Sequence, residues 1–214
     1  VYRISPSLQL SHIRRRIVSI LTRVIVAALM LGCWGTVFGH SGGHQGESGA
    51  SGFITGFLHP FMGLDHVVAM IAVGLWGFFL GAKAVWTLPV VFPLVMAGGG
   101  ALGILGVPLP AVETGIAVSA LILGLAVTLA VRPPLWGASL LVGFFGIFHG
   151  YAHGLELPAS TAAFPYSVGF VVATGLLHLA GITFATVGRW RWGELVVRAG
   201  GALIAGCGAW FMLV

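Results

Sequence analysis

Charge is what this chain has least of. Only 7% of its 214 residues are Asp, Glu, Lys or Arg, against 58% hydrophobic. A soluble domain carries about a quarter of its residues as charges. Ten basic and five acidic side chains cannot cover a water-facing surface of this size, so the solvent is lipid. Cysteine is scarce as well. Cys33 and Cys207 lie far apart in apolar runs, which leaves no disulfide framework. No G-x-x-x-x-G-K-[ST] run occurs, and Gly98-Gly99-Gly100 is no phosphate loop, so nucleotide hydrolysis by this chain is not expected. The net charge of +5 sits in the N-terminal arm and at the ends of apolar runs. It reads as a topology signal rather than a nucleic-acid patch.

Glycine, by contrast, is abundant, with 34 residues. Small residues let transmembrane helices approach closely, and Gly77 with Gly81 and Gly99 with Gly103 have the small-xxx-small spacing for that contact. The fold class expected is all-α, a polytopic membrane helix bundle with six transmembrane helices after an N-terminal signal peptide.

Residues 1–39 read as that signal. Arg14, Arg15, Arg16 and Arg23 form a basic region, and Val24 to Phe38 an apolar one too short for a comfortable span. Val37 and Gly39 offer small residues for a cut before His40. An uncleaved anchor is the competing reading, and Met30-Leu31-Gly32 is a poor match to a lipoprotein signal at Cys33. Residues 40–52 are polar, glycine-rich and expected to be a flexible arm. Residues 53–214 would form the transport domain, with spans near 56–80, 86–106, 111–131, 135–153, 164–187 and 194–213. Each is close to the ~20 residues that cross the hydrocarbon core as a helix.

Lys83, Arg132 and the group Arg189, Arg191 and Arg198 fall in or beside the first, third and fifth connections. The second and fourth carry Glu113 and Glu156 and no Lys or Arg. Positive-inside logic places the odd connections in the cytoplasm. A cleaved signal leaves His40 outside, which gives the same orientation: a multi-pass protein of the bacterial inner membrane with its mature N-terminus periplasmic. Trp86, Trp136, Trp190 and Trp192 near span ends fit an interfacial belt.

The chemistry lies in seven histidines beyond residue 39: His40, His44, His59, His66, His149, His153 and His178. Ionisable groups inside a membrane are costly and mark function. The first cluster runs His59-Pro-Phe-Met-Gly-Leu-Asp65-His66. If the turn at Pro60 stays helical, His59 and His66 are nearly two turns apart and share a face. Asp65 can ligate a metal or orient a histidine. Met62 and Met70 flank His66 by a turn, where methionine is more often packing than ligand. The second cluster, His149-Gly-Tyr-Ala-His153-Gly-Leu-Glu156, has the i, i+4 spacing that chelates a metal from one helix face. Glu156 continues that stripe, and a helix C-terminus favours a cation. A lone HxxxH is weak; two clusters at one side of the membrane are much stronger. His178, with Thr174 one turn before it, lies deeper, either as a cross-helix hydrogen bonder or as an inner waypoint. His40 and His44 would form a capture arm or a solvated tail.

These residues resemble a known family. His59-Pro60…Gly63-Leu64-Asp65-His66…Met70…Val73-Gly74, His149-Gly-Tyr-Ala-His153-Gly and Ala173-Thr174…Leu177-His178…Gly181 look like the signature of the HupE/UreJ family of nickel permeases. The spacing is H-x5-D-H, whereas the better-known nickel/cobalt transporters carry H-x4-D-H. The resemblance implies secondary uptake of Ni²⁺, or in some members Co²⁺, supplying hydrogenase, urease or cobalamin enzymes. It implies no prosthetic group. His59, Asp65, His66, His149, His153 and His178 occupy the family's motif positions.

The transport reading takes His40, His44, His59, Asp65, His66, His149, His153, Glu156 and His178 as the metal path, with several weak sites in series because an ion must also leave. Its expected partners are a divalent metal ion and the lipid bilayer, with no nucleic acid; a homo-oligomer and an outer-membrane metal receptor remain open. The rival is an intramembrane metallohydrolase with zinc on His149, His153 and His178 and Asp65 as general base. A di-iron oxidase is weaker, since no HxxHH box accompanies the HxxxH, and a sensor lacks a cytoplasmic domain. The transport reading requires Asp65 and His66 to face His149 and His153.

Overall fold

The computed structural model describes residues 49–157 and 161–214, and these are almost wholly helical, with no strand among them. The expected signal peptide (1–39) and the histidines His40 and His44 lie outside the described residues. Seven α-helices follow one another: α1 (Gly49–Leu58), α2 (Leu64–Leu80), α3 (Ala82–Ile104), α4 (Val112–Thr128), α5 (Leu135–Leu155), α6 (Ala163–Ala185) and α7 (Gly193–Phe211). Short 3-10 turns cover His59–Phe61 and Thr186–Arg189.

Two expectations change at the start. The arm expected over 40–52 is helical from Gly49. The first span, expected as one helix over 56–80, is broken: α1 and α2 meet at 80° across a 3-10 turn. Pro60 causes the break locally. It has no N–H to continue the ladder and disfavours an α conformation at the residue before it. Gly63, in an extended conformation, then opens α2. His59 and His66 therefore do not share a helix face.

Of the described helices, α3, α5, α6 with its 3-10 extension, and α7 are long and apolar enough to cross a membrane. The bent α1–α2 pair makes a fifth if taken as one span. α4 is apolar but has 17 residues, about 25 Å at 1.5 Å per residue, short of a ~30 Å core. Leu94, Leu140, Leu203 and Phe164 are exposed on the outer faces, as lipid contact requires. Trp86, Trp136, Trp190 and Trp192 are 68–70% exposed at or beside helix ends.

α2 is the central helix: Ala69, Met70, Ala72, Val73, Leu75 and Trp76 are all essentially inaccessible. It packs against α3, α4, α6 and α7. Its C-terminal end is tied down by Trp76, whose Nε1–H donates to the Val131 carbonyl in the α4–α5 connection at 2.9 Å. That contact puts Lys83, at the start of α3, and Arg132 at the same end of the bundle. Arg198 of α7 joins them, donating from Nε to the Thr128 carbonyl at 2.7 Å.

Glycine sets the interhelical distances. α3 and α5 run parallel with backbones in contact: Gly99 meets Ile147, Gly103 meets Tyr151, and Gly150 meets Met96. The small-xxx-small reading of Gly99 and Gly103 holds. For the other pair it holds at Gly77, which meets the Val85 backbone of α3, and not at Gly81. Gly81 caps α2 with φ +97, and a Cβ there would meet nothing within 4 Å. It is the hinge of the α2–α3 turn, a conformation that glycine adopts without steric cost.

Candidate metal site

The break between α1 and α2 places His59 and His66 on opposite sides of one histidine. His153, in the last turn of α5, has its ring centroid 4.9 Å from His59 and 4.3 Å from His66. His149, one turn earlier on the same face, lies 4.8 Å from His66. His66 faces His149 and His153, as the transport reading requires, and Asp65 is joined to them only through His66. The Pro60 turn thus does by bending what a continuous helix would have done by face sharing.

Glu156 closes the outer edge. It is the C-cap of α5, its N–H bonded to the Ala152 carbonyl at 3.0 Å, so the helical turn carries its side chain back over the site. His59 Nε2–H donates to Glu156 Oε2 at 2.8 Å, and His153 Nδ1 lies 3.4 Å from the same oxygen. Ligand atoms of His59, His153 and Glu156 all lie within 4.8 Å of one another, close enough to hold one metal ion. The His153 imidazole, with His59 after it and against a smaller opposing effect of burial, holds the Glu156 carboxyl down at about 2. Glu156 is therefore an anion at any physiological pH.

Asp65 is bonded to His66. Its Oδ1 accepts both the His66 backbone N–H and the ring Nδ1–H, each at 2.9 Å. A carboxylate on one ring nitrogen fixes the tautomer and orients the other toward a metal. That other atom, Nε2, is buried with no hydrogen-bond partner, as are Nδ1 of His149, Nε2 of His153 and both ring nitrogens of His178. Buried polar atoms are nearly always satisfied. These unsatisfied imidazole nitrogens form a donor set that could hold a cation.

His178 is set inward of this group, with Thr174 Oγ1 likewise unpartnered. The Phe92 ring touches both His149 and His178, at 5.3 and 5.5 Å between centroids. Met70 lies in the apolar core and Met62 is 77% exposed, so both methionines are placed as packing or surface. A cavity of about 270 Å³ between α3, α5 and α6 reaches His153 past Met96, Tyr166 and Phe170. Phe92, Tyr166 and Ser119 were not singled out from sequence. The buried hydroxyl of Ser119 in an apolar helix was the one signal available, since polar groups inside a span are seldom incidental.

The model of the family described as HupE / UreJ protein matches residues 24–211. This chain belongs to the HupE/UreJ family. It is similar to Protein HupE of Rhizobium leguminosarum bv. viciae, 48% identical over 160 residues that cover 75% of this chain and 84% of that protein. No solved structure gives a significant match.

Proposed function

We propose that this protein carries Ni²⁺, or Co²⁺, inward across the bacterial inner membrane as a secondary transporter for metalloenzymes such as hydrogenase or urease. The observation that carries the reading is the meeting of His59, His66, His149, His153 and Glu156 from two separate segments, with ring nitrogens left buried and unpartnered. Neutral imidazole with carboxylate has the intermediate softness expected for nickel or cobalt. A broken helix at the ion site is a recurrent arrangement in secondary transporters, because it frees backbone and helix ends to face the ion.

On this reading the bundle makes six crossings, with α1–α2 as one broken crossing and α4 as a short one. The basic end is cytoplasmic, and His40 and His44 precede the outer site as a capture arm. The ion is partly dehydrated between Glu156, His59 and His153, passes to His66 and His149, and leaves by way of His178. Asp65 orients His66. Nothing in the family relationship favours the hydrolase alternative.

Uptake of radiolabelled nickel at submicromolar concentration into cells expressing the protein tests the proposal. Time-dependent accumulation that is lost in His149→Ala at normal membrane levels supports it. Absence of accumulation of either nickel or cobalt by correctly inserted protein overturns it.

A further inference from the structure

His149 is fully buried, and its only hydrogen-bonding neighbour among the described residues is Ser119 of α4, itself inaccessible. Ser119 Oγ lies 2.8 Å from His149 Nε2 and 2.6 Å from the backbone carbonyl of Ile116. A hydroxyl has one proton to give. A carbonyl oxygen can only accept, and at 2.6 Å an oxygen pair without a shared proton would be repulsive, so the Ser119 proton goes to Ile116. The oxygen is then left as an acceptor toward His149, and Nε2 must carry the imidazole hydrogen. The remaining nitrogen, Nδ1, holds a lone pair and is buried without a partner.

We propose that Ser119 is the positioning residue that fixes His149 as its Nε2–H tautomer and so presents Nδ1, not Nε2, to the metal ion. The tautomer assignment stands on the hydrogen-bond geometry alone; its use in metal binding rests on the transport reading above. Ser119 does for His149 what Asp65 does for His66, from a different helix and with the opposite nitrogen exposed. His66 offers Nε2 and His149 offers Nδ1, and their rings stand at 89°. Because α4 packs on α5, the position of His149 is set by a neighbouring helix rather than by its own.

Solution or solid-state NMR of the full chain in lipid, labelled with ¹⁵N in histidine, tests this directly. The His149 signal is identified by its loss in His149→Gln, and Zn²⁺ serves as a diamagnetic probe. The expected result is a protonated Nε2 and an unprotonated Nδ1 without metal, and a shift of the Nδ1 resonance on Zn²⁺ addition. Ser119→Ala should populate the other tautomer and weaken Zn²⁺ binding about 10-fold or more, the usual scale for losing an orienting partner. Ser119→Thr, which keeps the hydroxyl and the bond to the preceding turn, should restore both. A proton on Nδ1 of the wild-type His149, an unmoved tautomer in Ser119→Ala, or a Zn²⁺ shift at Nε2 overturns the proposal. If the tautomer and the Zn²⁺ shift are found as expected while nickel and cobalt uptake fail, it is the transport reading that falls.

Discussion

His66 and His149 meet edge to face, ring centroids 4.8 Å apart, although one opens the central helix and the other lies near the end of α5. The pair, with the contacts of His153 to His59 and His66, joins the two histidine clusters into one site. Residues that act on one ion are not additive. His66→Ala and His149→Ala should each lower nickel uptake by about 10-fold or more, and the double variant should be little worse than the poorer single one. Multiplicative losses in the double variant would separate the two residues into independent sites. The measurement is initial uptake rate at matched membrane levels.

Asp65 lies beside His66 but reaches the site only through it. Asp65→Asn keeps an acceptor oxygen and loses the charge, whereas Asp65→Ala loses both and releases the ring. Expected uptake therefore falls in the order wild type, Asp65→Asn, Asp65→Ala, with the alanine variant down about 10- to 100-fold. Equal and complete loss in both variants would instead make Asp65 a direct ligand whose charge is indispensable.

The α3–α5 contact can be tested by side-chain size. A Cβ on Gly150 would run into the Met96 backbone carbonyl, whereas one on Gly175 of α6 meets nothing within 4 Å. Backbone cannot step aside as a flexible side chain can. Gly150→Ala should destabilise the protein by about 1–3 kcal/mol, the range of an overpacked core, and lower its yield in the membrane. Gly175→Ala should stay within about 0.5 kcal/mol. Thermal unfolding in detergent, read on both variants, checks the contrast.

How much of this was legible in the sequence differs from element to element. The apolar runs and the charged residues between them gave the helices and the basic end of the bundle, because lipid burial leaves no other place for Arg132 or Arg198. The i, i+4 spacing of His149 and His153 gave their shared face. The bend at Pro60 was not legible. A proline in the first turns of an apolar run is compatible with a helix start or a break, and only the packing of α1 beside α6, where Gly56 meets Tyr166, decides for the break. The tautomers were beyond reach for a similar reason. Ser119 and His149 belong to different helices, and no spacing rule links them. Gly81 shows the converse, since its place in the spacing serves a turn, while Gly77 alone of that pair meets the neighbouring helix.

Two helix ends have the same geometry and different residues. Gly106 after α3 and Ala130 after α4 both take a left-handed conformation, φ +68 and +51. In each the following N–H bonds back to a carbonyl five residues earlier, Val107 to Leu102 and Val131 to Ala126. Glycine suits this position and alanine is strained in it. Ala130→Gly should therefore stabilise the protein by about 1 kcal/mol, and Gly106→Ala should destabilise it by about as much. Opposite shifts in unfolding temperature are the expected outcome; a lower temperature for Ala130→Gly would show that the alanine methyl packs more than the backbone strains.

The pH dependence of uptake separates the carboxylate from the imidazoles. The Glu156 carboxyl is held down at about 2 by His153 and His59. A depressed carboxyl keeps its charge above that value and loses it only as the pH falls through it, so between pH 5 and 8 Glu156 is a constant anion. Imidazole binds a metal only when neutral, and metal binding must displace its proton. Uptake should therefore decline in acid, as protons compete with the metal for the imidazoles, and that decline belongs to the histidines. Glu156→Gln should lower uptake about 10-fold at pH 7.5 by removing the anion at the outer edge, yet keep the acid decline. A variant profile flat down to pH 5 would assign the decline to Glu156 and contradict the proposed division of labour.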